Sequence, residues 1–264
     1  MARVEVTIAD RVAEVALARP DKKNALDMAM FEEIAAAGEA LKRNPDVRAV
    51  VLTGQGADFC AGLDLAMFRT LATDLGVLTE RLFDLPLGEI ANVFQKPSYV
   101  WQELEIPVIA ALRGVAFGGG LQIALGADIR IAAPDVRMSV MEIRWGLVPD
   151  MGITQALRRL CRIDVAKELL LTGRIVAAEE ARDLGLLTRL ADDPLAAAHA
   201  LAGDIACRSP DAVRRMKALL DRSWFAPAAE GLRLEAAMQH EVIGKPAQLE
   251  AVAANLAGRP PNFD

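Results

Sequence analysis

Little in this chain of 264 residues favours chemistry built on cysteine, histidine or aromatic rings. Three cysteines occur, Cys60, Cys161 and Cys207, at no metal or redox spacing, and their odd number supplies no disulfide framework. Each reads as a small apolar residue rather than a nucleophile. The two histidines, His199 and His240, lie in helical contexts and read as packed or solvent-facing. One tyrosine and eight phenylalanines leave little for an aromatic cradle. No run approaches the ~18 apolar residues of a membrane span. The first residues, Met1-Ala2-Arg3-Val4-Glu5, carry charge at once and lack an apolar signal-peptide core, so a reducing, cytoplasmic setting is expected. A net charge of −6 argues against nucleic acid or an anionic membrane as partner. Small basic clusters, Lys22-Lys23 and Arg158-Arg159, suit solvated surface or the phosphate of a small ligand.

What is present is the composition of a packed globular protein, 53% hydrophobic and 25% charged. Val4, Val6 and Ile8 alternate with polar neighbours. Asp10-Arg11 then turns the chain into a second apolar run, Val12 to Leu17, which predicts a hairpin. Arg19-Pro20-Asp21 breaks it, and residues 25–41 have helical spacing. Residues 47–52 and 106–112 read as buried strands, and residues 121–131 as a helix followed by a strand. The recurrence of strand, strand, helix predicts an α/β core with crossover connections. Residues 64–106, with Pro86 and Pro97 and the apolar Met67, Phe68, Leu71, Leu75 and Leu78, read as a lid or pocket wall, or as a surface helix pair. Beyond Pro194 the pattern is helical. Ser209-Pro210-Asp211 is a helix start, and Leu232, Leu234, Ala237 and Met238 mark a later amphipathic helix.

Three stretches carry candidate chemistry. Phe117-Gly118-Gly119-Gly120-Leu121-Gln122 follows a strand and opens an apolar helix. Its glycines permit unusual backbone angles, and the first helical amides lack intrahelical acceptors and favour negative charge. That suits an oxyanion, and it equally suits close helix–strand packing. Thr53-Gly54-Gln55-Gly56 leads into Phe59-Cys60-Ala61-Gly62-Leu63-Asp64, where small residues let the backbone approach a ligand. Its Gly-x-Gly lacks the third glycine of a dinucleotide fingerprint. The third stretch runs from Ser139 to Gly152. There Glu142 lies among apolar residues that would raise its pKa toward that of a general base, unless Arg144 or Arg158 bridges it. Asp150 stands just before a helix and is placed to cap it.

Together these stretches resemble the crotonase superfamily, the enoyl-CoA hydratase/isomerase family. The likeness runs from Arg19-Pro20 and Asn24-Ala25-Leu26 through Phe59-Cys60-Ala61-Gly62 and Gly118-Gly119-Gly120 to Pro261-Asn262-Phe263. It implies an α/β spiral of strand–strand–helix repeats over residues 1–200, carrying the acyl-CoA site, and a helical oligomerisation region over residues 201–264. It also implies a homotrimer or homohexamer, an acyl-CoA thioester as substrate, and no separate cofactor or metal. The amides of Leu63 and Gly119 would form the oxyanion hole. Ala61, Lys23, Asp64 and Phe263 would contact the coenzyme A portion, Phe263 from its own or a neighbouring subunit.

One departure matters. Hydratases of the family have two glutamates, and this chain has Gln122 at one of those positions and Glu142 at the other. An amide can hold a water but cannot take its proton at neutral pH. Asp150 matches a position where certain isomerases of the family carry a working aspartate. The sequence thus favours moving a double bond with Glu142 and Asp150, Gln122 orienting the acyl chain or a water. The competing expectations are a hydratase using Glu142 alone and a CoA-ester binder that turns over nothing.

Overall fold

The computed structural model describes residues 2–67 and 75–263. The expected apolar positions Phe68 and Leu71 lie outside the described residues, as do the side chains of Leu75 and Leu78.

Six strands form the main sheet in the order β1-β2-β3-β4-β6-β9: β1 (Val4–Ala9), β2 (Val12–Leu17), β3 (Ala49–Gly54), β4 (Val108–Leu112), β6 (Ile129–Ala132) and β9 (Arg189–Leu190). A smaller sheet joins β5 (Val115–Phe117), β7 (Arg137–Ser139) and β8 (Val176–Ala177). The hairpin β1-β2 is antiparallel, and every other pairing of the main sheet is parallel. Asp10 (φ 48°) and Arg11 (φ 63°) both adopt left-handed backbone in its two-residue turn, whose twist matches that of paired strands. Val6 and Ile8 are exposed despite their alternation; on that face of the edge strand β1 only Val4 is partly buried, where it packs against the core and its N–H donates to Glu33 of the first long helix.

The spiral follows from how each turn distributes its strands. β4 enters the main sheet, β5 the small sheet, and helix Gly119–Leu125 follows. β6 and β7 repeat the assignment, and helix Ile153–Leu160 comes after them. β3 precedes Cys60, which makes a single parallel bridge to Ala116 of β5. Parallel strands need such long return connections, and those returns bring chemically useful loops to one end of the sheets.

The first long helix is Met28–Lys42, beginning later than the residue-25 spacing suggested. Asp27 caps it by accepting from Met30 N–H, while Leu26 is drawn into a β-bridge with Leu63. Asn24 explains the shift. It is fully buried, with left-handed backbone, and its side chain accepts from Arg19 N–H (2.8 Å) and donates to the carbonyls of Gln55 (3.0 Å) and Asp58 (2.8 Å).

Helix Pro194–Ala206 buries Ala198, Ala202 and Ala206 against Val51, Ile109 and Ile131 of the main sheet. The boundary expected between residues 200 and 201 falls inside this helix. Helices Pro210–Ser223, Ala228–Val242 and Pro246–Ala257 then form the helical tail. Ser209 caps the first by accepting from Ala212 N–H. Among the described residues no helix is long and apolar enough to cross a membrane.

Candidate active site

Two backbone hydrogen bonds frame the site. Leu26 N–H donates to the Gly62 carbonyl (2.8 Å), and Asp64 N–H donates to the Leu26 carbonyl (2.9 Å). Peptide groups alternate direction along extended chain, so with Gly62 and Asp64 facing Leu26 the Leu63 N–H points the other way. Leu63 N–H has no acceptor among the described residues. On the other loop, Cys60 N–H donates to the Val115 carbonyl and Phe117 N–H donates to the Cys60 carbonyl, both at 3.0 Å. This joins the Ala61-Gly62-Leu63 loop to the glycine run.

Gly119–Leu125 is buried throughout, and Gly118 is its N-cap with φ 51°. Gly119 is the first helical residue, and its N–H likewise finds no acceptor among the described residues. A Cβ on Gly120 would lie 2.6 Å from the Cβ and carbonyl oxygen of Cys60. The glycine run therefore does both jobs its sequence allowed: it permits close packing and leaves helix-start amides unpaired. Cys60 itself, pushed up to about 12 by burial and donating to the Asn24 carbonyl, is packing and not a nucleophile.

The two amides open on a cavity of ≈ 510 Å³. Ala61, Leu63, Asp64, Gly119, Gln122, Glu142 and Asp150 all line it. Most of its remaining wall is apolar, including Leu26, Phe31, Phe94, Met141, Trp145 and Met151. Leu65, Met67 and Leu82 contribute too, so described residues of the 64–106 segment form part of the cavity wall.

Glu142 reaches this cavity through strand pairing. Phe117 and Ser139 are partners in β5-β7, and Gly118 N–H donates to the Ser139 carbonyl. The short 3₁₀ turn Glu142–Trp145 follows directly. A Cβ on Gly118 would lie 3.3 Å from Glu142 Oε1. Glu142 Oε1 accepts from Gln122 Nε2 at 2.6 Å, and Glu142 Oε2 is buried with no hydrogen-bond partner among the described residues. Burial raises the Glu142 pKa above 4.5, and the nearby Asp150 carboxylate adds to the rise. Neither arginine bridges it. Arg144 Nε donates to the Gly173 carbonyl, and the Arg158 guanidinium stacks on the Phe225 ring.

Asp150 does not cap the helix it precedes. Gly152, with φ 81°, occupies the N-cap of Ile153–Leu160, and no side chain caps that helix. Asp150 keeps contact with solvent at the cavity wall, yet partial burial still raises its pKa. Gln122 is 1% exposed, and its Oε1 accepts from Met151 N–H at 2.9 Å.

The residues expected to contact coenzyme A separate. Ala61 lines the cavity and donates its N–H to the Lys23 carbonyl. Asp64 spends both carboxylate oxygens internally. The hydrogen bond from Ala66 N–H, more than the ion pair with Arg19, holds its pKa low against partial burial. Lys23 does not line the cavity. Its left-handed backbone turns the side chain to Asp58 (3.2 Å), and Lys22 lines the cavity instead. Phe263 is also absent from the lining; its carbonyl accepts from Arg48 at 2.9 Å. Among the described residues no cluster of histidine, cysteine or carboxylate side chains suits a metal.

A two-sheet spiral whose turns meet at a carboxylate-bearing cavity defines the crotonase fold, and solved structures agree. The enoyl-CoA hydratase of Bacillus anthracis superposes with a TM-score of 0.89 at 30% identity, covering 99% of this chain and 98% of that one. The chain belongs to the enoyl-CoA hydratase/isomerase family, whose sequence model matches residues 7–264. It is 36% identical over 256 residues to a probable enoyl-CoA hydratase, EchA8, of Mycobacterium leprae, covering 96% of this chain and 94% of the relative. It is 32% identical over 254 residues to the peroxisomal Δ(3,5)-Δ(2,4)-dienoyl-CoA isomerase of Arabidopsis thaliana, covering 93% and 90%.

Proposed function

We propose that this enzyme moves a double bond in an unsaturated acyl-CoA thioester. The observation that carries the reading is the pair Glu142 and Asp150: two carboxyl groups that line one largely apolar cavity, each with its pKa raised chiefly by burial. Two carboxyls bordering one apolar cavity can divide the work, one taking a proton and the other returning one.

The thioester carbonyl oxygen lies between Leu63 N–H and Gly119 N–H. Ionised Glu142 takes a proton from the carbon beside the carbonyl, and the C–H electron pair passes into a dienolate whose negative oxygen those amides hold. Protonated Asp150 returns a proton at the far end of the dienolate, which moves the double bond. Exchange with solvent then resets the two carboxyls. Only protons move and no electrons are lost, so the step calls for no redox cofactor; coenzyme A enters as part of the substrate. Ala61 and Lys22, which both line the cavity, would contact the coenzyme portion. Exposed Leu220, Trp224, Phe225, Leu232 and Leu256 on the helical tail support a homo-oligomer.

Hydration is the second reading, favoured by the hydratase names of several relatives, the Mycobacterium leprae protein among them. It would use Glu142 for both proton steps. Incubation with 3-enoyl-, 3,5-dienoyl- and 2-enoyl-CoA esters, with products resolved by mass and chromatography, separates the two. Isomers without mass gain support the proposal. A 3-hydroxyacyl product from the 2-enoyl ester, with no isomerisation of the others, refutes it.

A further inference from the structure

Gln122 stands where the sequence led us to expect a residue orienting the acyl chain or a water, and its hydrogen bonds run elsewhere. Met151 N–H can only donate, so the group facing it must be the Gln122 carbonyl oxygen. That fixes the amide orientation and turns Nε2 toward Glu142 Oε1. The backbone of Gln122 is pinned as well, its carbonyl accepting from Ser98 Oγ at 2.6 Å. With 1% of its surface exposed, the side chain has both polar ends engaged by protein. The oxygen left over is Glu142 Oε2, buried and unpartnered among the described residues. A buried carboxylate oxygen without a donor is costly, and a substrate proton relieves it.

We propose that Gln122 is a positioning residue that ties Glu142 through Oε1 and thereby makes Oε2 the oxygen that exchanges the substrate proton. Gln122 touches no reacting atom. It acts as a fixed donor between the Met151 peptide and the base, holding Glu142 in one rotamer and favouring its ionised form. A glutamate at this position would keep the shape and the Met151 N–H acceptor. It would also set two carboxyls in contact, which share one proton. The inference deepens the proposed reaction by naming which atom of the base works, and it applies to whichever proton transfer Glu142 performs.

The test compares wild type with Gln122→Leu and Gln122→Met in the pH dependence of kcat and kcat/KM, on whichever acyl-CoA ester the enzyme turns over. Both variants fill the space and remove the donor. Loss of a hydrogen bond to an ionised group is expected to move the acidic limb upward by about one unit. At pH values below the limb the rate is expected to fall roughly tenfold for such a shift and to converge on wild type well above it, with KM within about twofold, since Gln122 holds no part of the ester. Folded variants whose limb stays at the wild-type pH overturn the proposal and reduce Gln122 to packing. If neither apolar variant folds, Gln122→Glu decides. A raised limb is expected there, and an unmoved limb overturns the proposal. Failure of the double-bond reading shows separately, as wild-type enzyme that forms no isomer.

Discussion

Leu26 and Leu63 meet in a single parallel bridge, and that bridge decides where the Leu63 amide points. Gly62 makes it possible. Its φ is 89°, and a Cβ there would lie 2.7 Å from the Phe117 carbonyl oxygen.

Gly62→Ala is therefore expected to strain both loops at once. Backbone strain and overpacking should cost about 2–4 kcal/mol, read by urea unfolding. Displacing one of two oxyanion donors should lower kcat on the order of 10²-fold. Wild-type kcat in a folded Gly62→Ala protein would remove Leu63 N–H from the mechanism.

Glu142→Gln is expected to lose kcat by roughly 10²–10⁴-fold, the usual worth of a positioned general base. Stability should move the opposite way. Burial raises the folded-state pKa of Glu142 above its ordinary 4.5, so the proton it binds favours the folded protein, and that advantage is lost as pH rises through the folded value. A neutral amide escapes the loss. The variant should melt higher than wild type near pH 8 and equally below about pH 4; equal melting temperatures at both pH values would contradict the burial of this carboxyl.

Asp150→Asn separates the two reactions. Isomerisation should fall about 10²-fold or more, because the second proton donor is lost. Hydration of a 2-enoyl ester, if it occurs at all, should persist within a few-fold. Calorimetry with a saturated acyl-CoA checks that binding survives.

Asn24→Ala tests the frame. The variant leaves Arg19 N–H and two carbonyls without their partner in a fully buried position, and about 2–4 kcal/mol of stability should go with them. Denaturation by urea measures it. A loss below about 0.5 kcal/mol would mean that water replaces the amide.

The parts of this site legible from sequence are those written in one stretch. The glycine run, the Ala61-Gly62-Leu63 loop and an apolar-embedded Glu142 each announce themselves locally. The order of strands and helices likewise implied an α/β core with crossover connections, and the family resemblance implied the spiral. What sequence could not show depends on long-range partners. Gln122 read as a residue orienting the acyl chain or a water because nothing nearby reveals that the Met151 peptide claims its side-chain carbonyl. Asp150, read by itself, suited a helix cap, a position that Gly152 takes instead, while the resemblance gave it a place in the chemistry. Lys23 lost its place to Lys22 because two consecutive left-handed residues, Lys23 and Asn24, rotate the chain there. The edge strand β1 kept its alternation while Val6 and Ile8 stayed exposed, since periodicity records which side chains share a face and not how far anything covers it.

The single bridge from Cys60 to Ala116 carries a temporal consequence. Leu63 and Gly119 belong to different turns of the spiral, so no local fragment contains both amides. During synthesis the first donor leaves the ribosome well before the second, and the pair exists only after β4 has docked beside β3. Contacts that remote close slowly. Thioester binding should then be among the last properties the nascent chain acquires, and a useful reporter of complete folding.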